Sequence, residues 1–189
     1  MQENHSGVKA DFQYSGNNNF YGVGGSIGFS ILGRVDIGFQ YMEGSQFQMY
    51  DIQSTGALVY AAYNVKNKKT CIKLLAGYTQ NSLGSIDFSG PLFGLLISPK
   101  VYENESVAII PGAGLSFGFL SVSSTKSIFS DYSDIENPVN AELELNLVSK
   151  INKYFNFIIA PSVSKNLRIT DGALTYGVNL ALLFAFPNQ

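Results

Sequence analysis

The chain has 189 residues, of which 46% are hydrophobic and only 14% charged, against about 25% charged in an ordinary soluble domain. A formal net charge of −2 offers no basic footprint for nucleic acid, and one cysteine, Cys71, excludes an internal disulfide and a cysteine-built metal cluster. No stretch reaches the run of about 18 apolar residues that a bilayer-spanning helix needs, because Gly, Ser, Asn or Pro interrupts every candidate within a few residues.

Apolar residues recur instead with period two, the spacing of a strand with one greasy face. Taken in chain order, the first sets are Val8, Ala10, Phe12, Tyr14; then Tyr21, Val23, Gly25, Ile27, Phe29, Ile31; then Val35, Ile37, Phe39, Tyr41. Thr55, Ala57, Val59, Ala61, Tyr63 follow, then Ile72, Leu74, Ala76, Tyr78, and then Phe93, Leu95, Ile97, Pro99, Val101. The next sets are Val107, Ile109, Pro111, Ala113, Leu115, Phe117, then Val139, Ala141, Leu143, Leu145, Leu147, and then Phe155, Phe157, Ile159, Pro161, Val163. A final strand runs from Leu174 to Phe186. Lipid-facing residues alternate with lumen-facing ones in a membrane barrel, so apolar content without long apolar runs predicts an all-β, transmembrane, antiparallel up-and-down barrel. Ten strands are expected, or eight if two weak segments pair outside the membrane. The expected layout is an N-terminal tail over 1–6, the barrel over 7–186 and a short tail over 187–189.

Two further patterns agree with this reading. Links after strands two, four, six and eight are short, whereas the others are mostly longer and the one from Ser121 to Asn137 is longest; barrels place short turns on one side and long loops on the other. Tyr14, Tyr21, Tyr41, Tyr78 and Tyr176 fall at one set of strand ends, and Tyr63, Phe155, Phe184 and Phe186 at the other, as two interfacial girdles would. Pro99, Pro111 and Pro161 lack the N–H that a ladder needs, so bulges or strand ends are expected there.

The last strand has Thr175 and Gly177 followed by Leu180, Leu182, Phe184 and Phe186, with the aromatic residue near the C-terminus. This order resembles the C-terminal insertion signal of outer-membrane β-barrels, with Pro187, Asn188 and Gln189 trailing beyond it. The resemblance implies a bacterial outer-membrane protein, with membrane lipid and the barrel-insertion machinery as partners. Such a protein is exported, yet Met1 is followed at once by Gln2-Glu3-Asn4. The expectation is therefore a mature chain with an added initiator Met, and Gln2 in that place resembles exported proteins of Bacteroidota.

Projected inward is a polar, glycine-rich set that carries Lys9, Asp11, Asp36, Lys73, Lys100, Glu142 and Glu144. Charges inside a barrel need partners or water. Near balance of sign favours a paired network that plugs the lumen over an ion-selective constriction. The glycine stripes Gly22-Gly24-Gly28 and Gly112-Gly114-Gly118 leave space for larger side chains or hold the lumen open. Enzyme chemistry finds little support. His5, the only histidine, sits in the N-terminal tail, and Glu142 with Glu144 offers carboxylates without a sugar cleft. The acids Asp131, Asp134 and Glu136 lack the spacing and glycine of a calcium loop, so no metal or cofactor is expected.

The leading functional expectation is a non-enzymatic structural or accessory barrel, with the outer loop 121–137 as a surface for a protein partner. A narrow diffusion channel for small solutes is the alternative. A soluble lipocalin-like carrier stands third, weakened by the absence of Trp and of a disulfide pair.

Overall fold

A computed structural model describes residues 6–17, 20–46, 52–66, 70–83, 86–124, 137–168 and 174–186. Twelve strands occupy them: β1 Ser6–Gly16, β2 Phe20–Ile31, β3 Val35–Gln46, β4 Ile52–Lys66, β5 Thr70–Leu83, β6 Ile86–Pro99, β7 Tyr102–Glu103, β8 Val107–Gly118, β9 Ser121–Ser124, β10 Val139–Lys150, β11 Phe155–Asn166 and β12 Thr175–Phe186. Each long strand pairs antiparallel with its neighbours, and β1 closes on β12 from Ser6↔Phe186 to Gly16↔Tyr176. The result is the closed, ten-stranded up-and-down barrel that the period-two sets predict.

Burial is inside out. Phe12, Ile27, Phe29, Val59, Leu74, Leu143 and Tyr176 are all more than half exposed or nearly so, and every one belongs to an outward set. Such an apolar belt is stable only against another apolar phase. Among the described residues the buried apolar side chains are small ones plus Leu183, namely Ala62, Ala108, Ala160, Ala181 and Ala185. Aromatics stand at both ends of the belt. Phe155 and Phe184 meet at 4.8 Å between ring centroids at the end where β1 begins and β12 finishes, called here the near end.

Three details depart from the simple pattern. The fifth set ends at Tyr78 and the sixth starts at Phe93, yet β5 and β6 pair up to Leu83↔Ile86, so only residues 84 and 85 separate them. Backbone pairing continues past the apolar belt because it needs no greasy side chain. The far-end links are therefore not uniformly long. Secondly, β8 pairs with β6 only from Leu92↔Gly118 to Ile97↔Ala113. Above that stretch β6 pairs with β9, which continues β8 after Phe119 and Leu120, and below it β8 pairs with β7, which continues β6 past Pro99, so the same seam runs on in three pieces. Outside this seam Phe93, Phe117 and Phe119 pack together, with centroids 5.7, 6.4 and 6.1 Å apart.

The prolines supply the third departure. Pro99 ends β6, and the register slips by one residue between Ile97↔Ala113 and Tyr102↔Ile109, across from Pro111. The β10–β11 ladder breaks between Glu144↔Ser162 and Leu147↔Ile159, where Pro161 has no N–H to donate. It resumes in the same register. On its other edge Pro161 stays in line, opposite Val178.

Candidate functional site

The inner wall holds the chemistry. On β1 the Asp11 side chain has no exposed surface and accepts from three donors: Lys9 Nζ at 3.1 Å, Gln13 Nε2 at 2.9 Å and Ser26 Oγ at 2.5 Å. Gln40 Nε2 on β3 donates to Gln13 Oε1 at 2.7 Å and carries the chain of bonds across three strands. Asp11 and Ser26 are register partners. A one-residue slip would turn Asp11 out into the apolar belt, so the charge fixes the register as well as the seam. On the neighbouring wall Lys73 approaches Asp36 at 3.9 Å and stands 5.6 Å from the centroid of the Tyr60 ring, while Asn64 Nδ2 donates to Asp36 Oδ2 at 2.8 Å.

Lys100 does not join them. The reading that placed it in the lumen ran the strand's alternation through Pro99, where the strand in fact stops. Beyond that proline the chain turns along β7, and Lys100 Nζ reaches Glu103 Oε2 at 2.6 Å. Lys150 Nζ meets the other oxygen, Glu103 Oε1, also at 2.6 Å. These two hydrogen-bonded lysines hold the Glu103 carboxyl down at about 2.

The loss of Lys100 changes the charge balance. Within the described lumen, Lys9 and Lys73 face Asp11, Asp36, Glu142 and Glu144, and each lysine already has an aspartate. Glu142 and Glu144 form no ion pair among the described residues. Glu144 accepts from Asn146 Nδ2 at 2.6 Å, while Glu142 stands exposed to the interior. The near balance expected of a fully paired plug is absent on the β10 wall.

Large side chains lie along the wall over glycines. A Cβ on Gly38 would stand 2.6 Å from Tyr60 Oη, and one on Gly112 would stand 2.8 Å from Glu144 Cγ. The glycine stripes thus seat side chains from the adjacent strand and leave the middle of the barrel free. Two cavities of about 350 and 310 Å³ fill that middle, and Lys9, Gln13, Gln40, Glu142 and Glu144 line both. The larger extends to Tyr14, Ser15 and Thr175 at the far end. Together the two form a well that runs from the middle of the barrel toward its far end. Beneath it the inward residues Ser30, Ala62, Asn64, Ala108, Leu183 and Ala185 are all buried and make a partial floor, while Lys9, Lys73 and Leu75 on the cavity wall are register partners of Leu183, Asn64 and Ala62.

One wall of the well escaped the sequence reading. Leu58, Leu75, Leu92 and Leu96, on β4 to β6, project inward with Tyr60 and line the second cavity. Their signal was a set of runs apolar in both phases: 57–60 around Leu58, 74–76 around Leu75, and 95–97 around Leu96 with Leu92 and Phe93 just before it. A run apolar in both phases marks a strand that meets apolar surroundings on both faces.

No family model matches the sequence, and no curated protein matches it. Solved structures do. The translocator domain of the autotransporter NalP from Neisseria meningitidis aligns with a TM-score of 0.59 at 10% identity, covering 98% of this chain and 90% of that one. The fold is that of bacterial outer-membrane β-barrels. The beta domain of the Bordetella autotransporter BrkA gives a TM-score of 0.51 at 9% identity, over 96% of this chain and 99% of that one. An outer membrane channel from Pseudomonas putida F1 gives 0.51 at 9%, over 98% and 97%. Identities this low carry architecture alone.

In this outer-membrane barrel fold the C-terminal motif divides by face. Thr175 and Gly177 point inward, whereas Leu180, Leu182, Phe184 and Phe186 point outward along β12. His5, the acids Asp131, Asp134 and Glu136, and most of the 121–137 loop lie outside the described residues.

Proposed function

We propose that the protein is an integral, non-enzymatic barrel of a bacterial outer membrane, with its near end toward the periplasm and its lumen closed to through-flow. The near-end floor carries this reading. A passage for solutes needs a continuous wet path, and the burial of the inward residues Ser30, Ala62, Asn64, Ala108, Leu183 and Ala185 supports a lumen narrowed at the near end. The Asp11 network supports it further, since a half-buried chain of side-chain bonds from β1 to β3 rigidifies the wall. The protein then acts from its place in the membrane, as a structural or accessory component whose far-end loops, 121–137 among them, offer contact to a partner. The β12 motif from Thr175 to Phe186 serves as the signal read by the insertion machinery.

A second reading, a narrow cation-preferring channel, draws on one observation: Glu142 and Glu144 bring more negative charge into the lumen than Lys9 and Lys73 balance. Planar-bilayer recording of the refolded protein separates the two. A closed barrel gives no conductance steps in potassium chloride, and Asp11→Asn lowers its thermal stability. Stepwise, cation-selective conductance that changes with Glu142→Gln would overturn the closed barrel.

A further inference from the structure

We infer that the far-end well is a binding site for a small amphipathic organic cation, one with a primary ammonium group on an apolar, aromatic or aliphatic body. The inference rests on the closed-barrel reading, because a closed floor turns a lumen into a receptacle.

Three observations meet in the second cavity. Its polar side carries Glu142 and Glu144, which lack an ion-pair partner among the described residues while the two lumen lysines are engaged by Asp11 and Asp36. The β4–β6 part of its lining carries Leu58, Leu75, Leu92 and Leu96, none of them fully buried. Apolar side chains left beside a cavity in an otherwise polar lumen gain when an apolar body displaces water from them. Thirdly, the Tyr60 ring already faces an ammonium, that of Lys73 at 5.6 Å, so the aromatic surface at this level suits a cation. A plain inorganic cation would use the carboxylates and waste the leucines. A neutral apolar solute would use the leucines and leave the two lumen carboxylates without a cationic partner. Only a molecule with both features is complementary to both walls. The adjoining cavity gives it a route from the far end past Thr175 and Tyr14.

The test uses the full-length protein refolded into vesicles of zwitterionic lipid, with protein-free vesicles as the blank. 2-Phenylethylammonium is titrated calorimetrically beside methylammonium, 2-phenylethanol and 3-phenylpropionate. Saturable binding of 2-phenylethylammonium, about tenfold or more tighter than any of the other three, is expected. Glu142→Gln with Glu144→Gln weakens it about tenfold and leaves the β-sheet circular dichroism unchanged. Leu92→Ala weakens it several-fold, and Leu96→Ala serves the same purpose if Leu92→Ala does not refold. Glu103→Gln, outside the well, leaves it unaltered. Equal affinity for 2-phenylethylammonium and methylammonium would overturn the amphipathic site, and so would indifference to the glutamate pair or heat no greater than the blank. If the barrel conducts yet binds the probe as described, the floor is wrong and the site stands. If it is silent and binds nothing, the site fails alone.

Discussion

Asp11→Asn is the sharpest probe of what holds the β1 side of the barrel. The substitution keeps volume and a hydrogen-bond acceptor but removes the charge that three donors address. A hydrogen bond to a buried charge contributes about 1.5–3 kcal/mol, and a neutral one about 1. Lys9 is 39% exposed and can turn to lumen water, so its share shrinks toward the exposed-pair range of about 0.2–1 kcal/mol. Adding the weakened bonds from Ser26 and Gln13 gives a loss of about 2 kcal/mol for Asp11→Asn. Asp11→Ala strands both donors and costs about 3. The measurement is reversible urea unfolding of vesicle-inserted protein followed by circular dichroism. A cycle with Lys9→Met isolates the ion pair, expected to couple by about 1 kcal/mol or less. A change below about 0.5 kcal/mol for Asp11→Asn would refute the reasoning, since a fully buried, triply bonded carboxylate could not then matter to the fold.

Glu103 gives a pH signature. Its folded-state value of about 2 lies below its ordinary 4.5, so its contribution is present above about pH 4.5 and is lost as pH falls from there toward 2. Hydrogen exchange at the Val101 and Lys150 amides, both tied into this turn, should quicken over that window in the parent protein and show no such step in Glu103→Gln. Gly38→Ala should lower stability by about 1–3 kcal/mol, because its Cβ collides with the Tyr60 hydroxyl end; Tyr60→Leu on the same background should restore most of it in the unfolding assay. Pro161→Ala should leave the urea midpoint unchanged or raise it, since it returns an N–H to the broken β10–β11 ladder. A fall of more than about 1 kcal/mol would show that the ring itself is needed there.

The outward half of the barrel was legible because lipid tolerates so few side chains. Phe12 between Asp11 and Gln13, Ile27 between Ser26 and Gly28, and Leu143 between Glu142 and Glu144 have no other reason to alternate so, and the strand count follows from such sets. What hydrophobic phase cannot report is where a ladder ends. Gln80, Ser82 and Ser89 are polar, yet they extend β5 and β6 toward residues 84 and 85. Pro99 misled in the other direction: alternation carried Lys100 into the lumen on paper, while the chain had already turned toward Glu103. The lumen was harder still. Alternation says that Asp36 and Lys73 point inward, but which lysine meets which acid depends on stagger between strands, and the stagger appears only in the pairing of Asn64 with Lys73 and of Asp36 with Ala62. At the near end Ala62, Ala108, Leu183 and Ala185 carried no polar signature to mark them as inward-facing, unlike Ser30 and Asn64 beside them.

The interrupted seam between β6 and β8 shows how the ring stays closed across a proline and an irregular turn of the chain. A barrel in lipid can open sideways only by breaking a whole row of backbone hydrogen bonds at once, with no water to replace them. Between β6 and β8 that row comes in three pieces: Ile86↔Ser124 to Ser89↔Ser121 through β9, Leu92↔Gly118 to Ile97↔Ala113, and Tyr102↔Ile109 to Glu103↔Ala108 through β7. Phe93, Phe117 and Phe119 lie across it on the outside, like a patch over a slit, and their mutual packing supplies some of what the missing bonds do not. Parting the wall here therefore means undoing three short ladders and an aromatic patch together, no less than where the first and last strands meet.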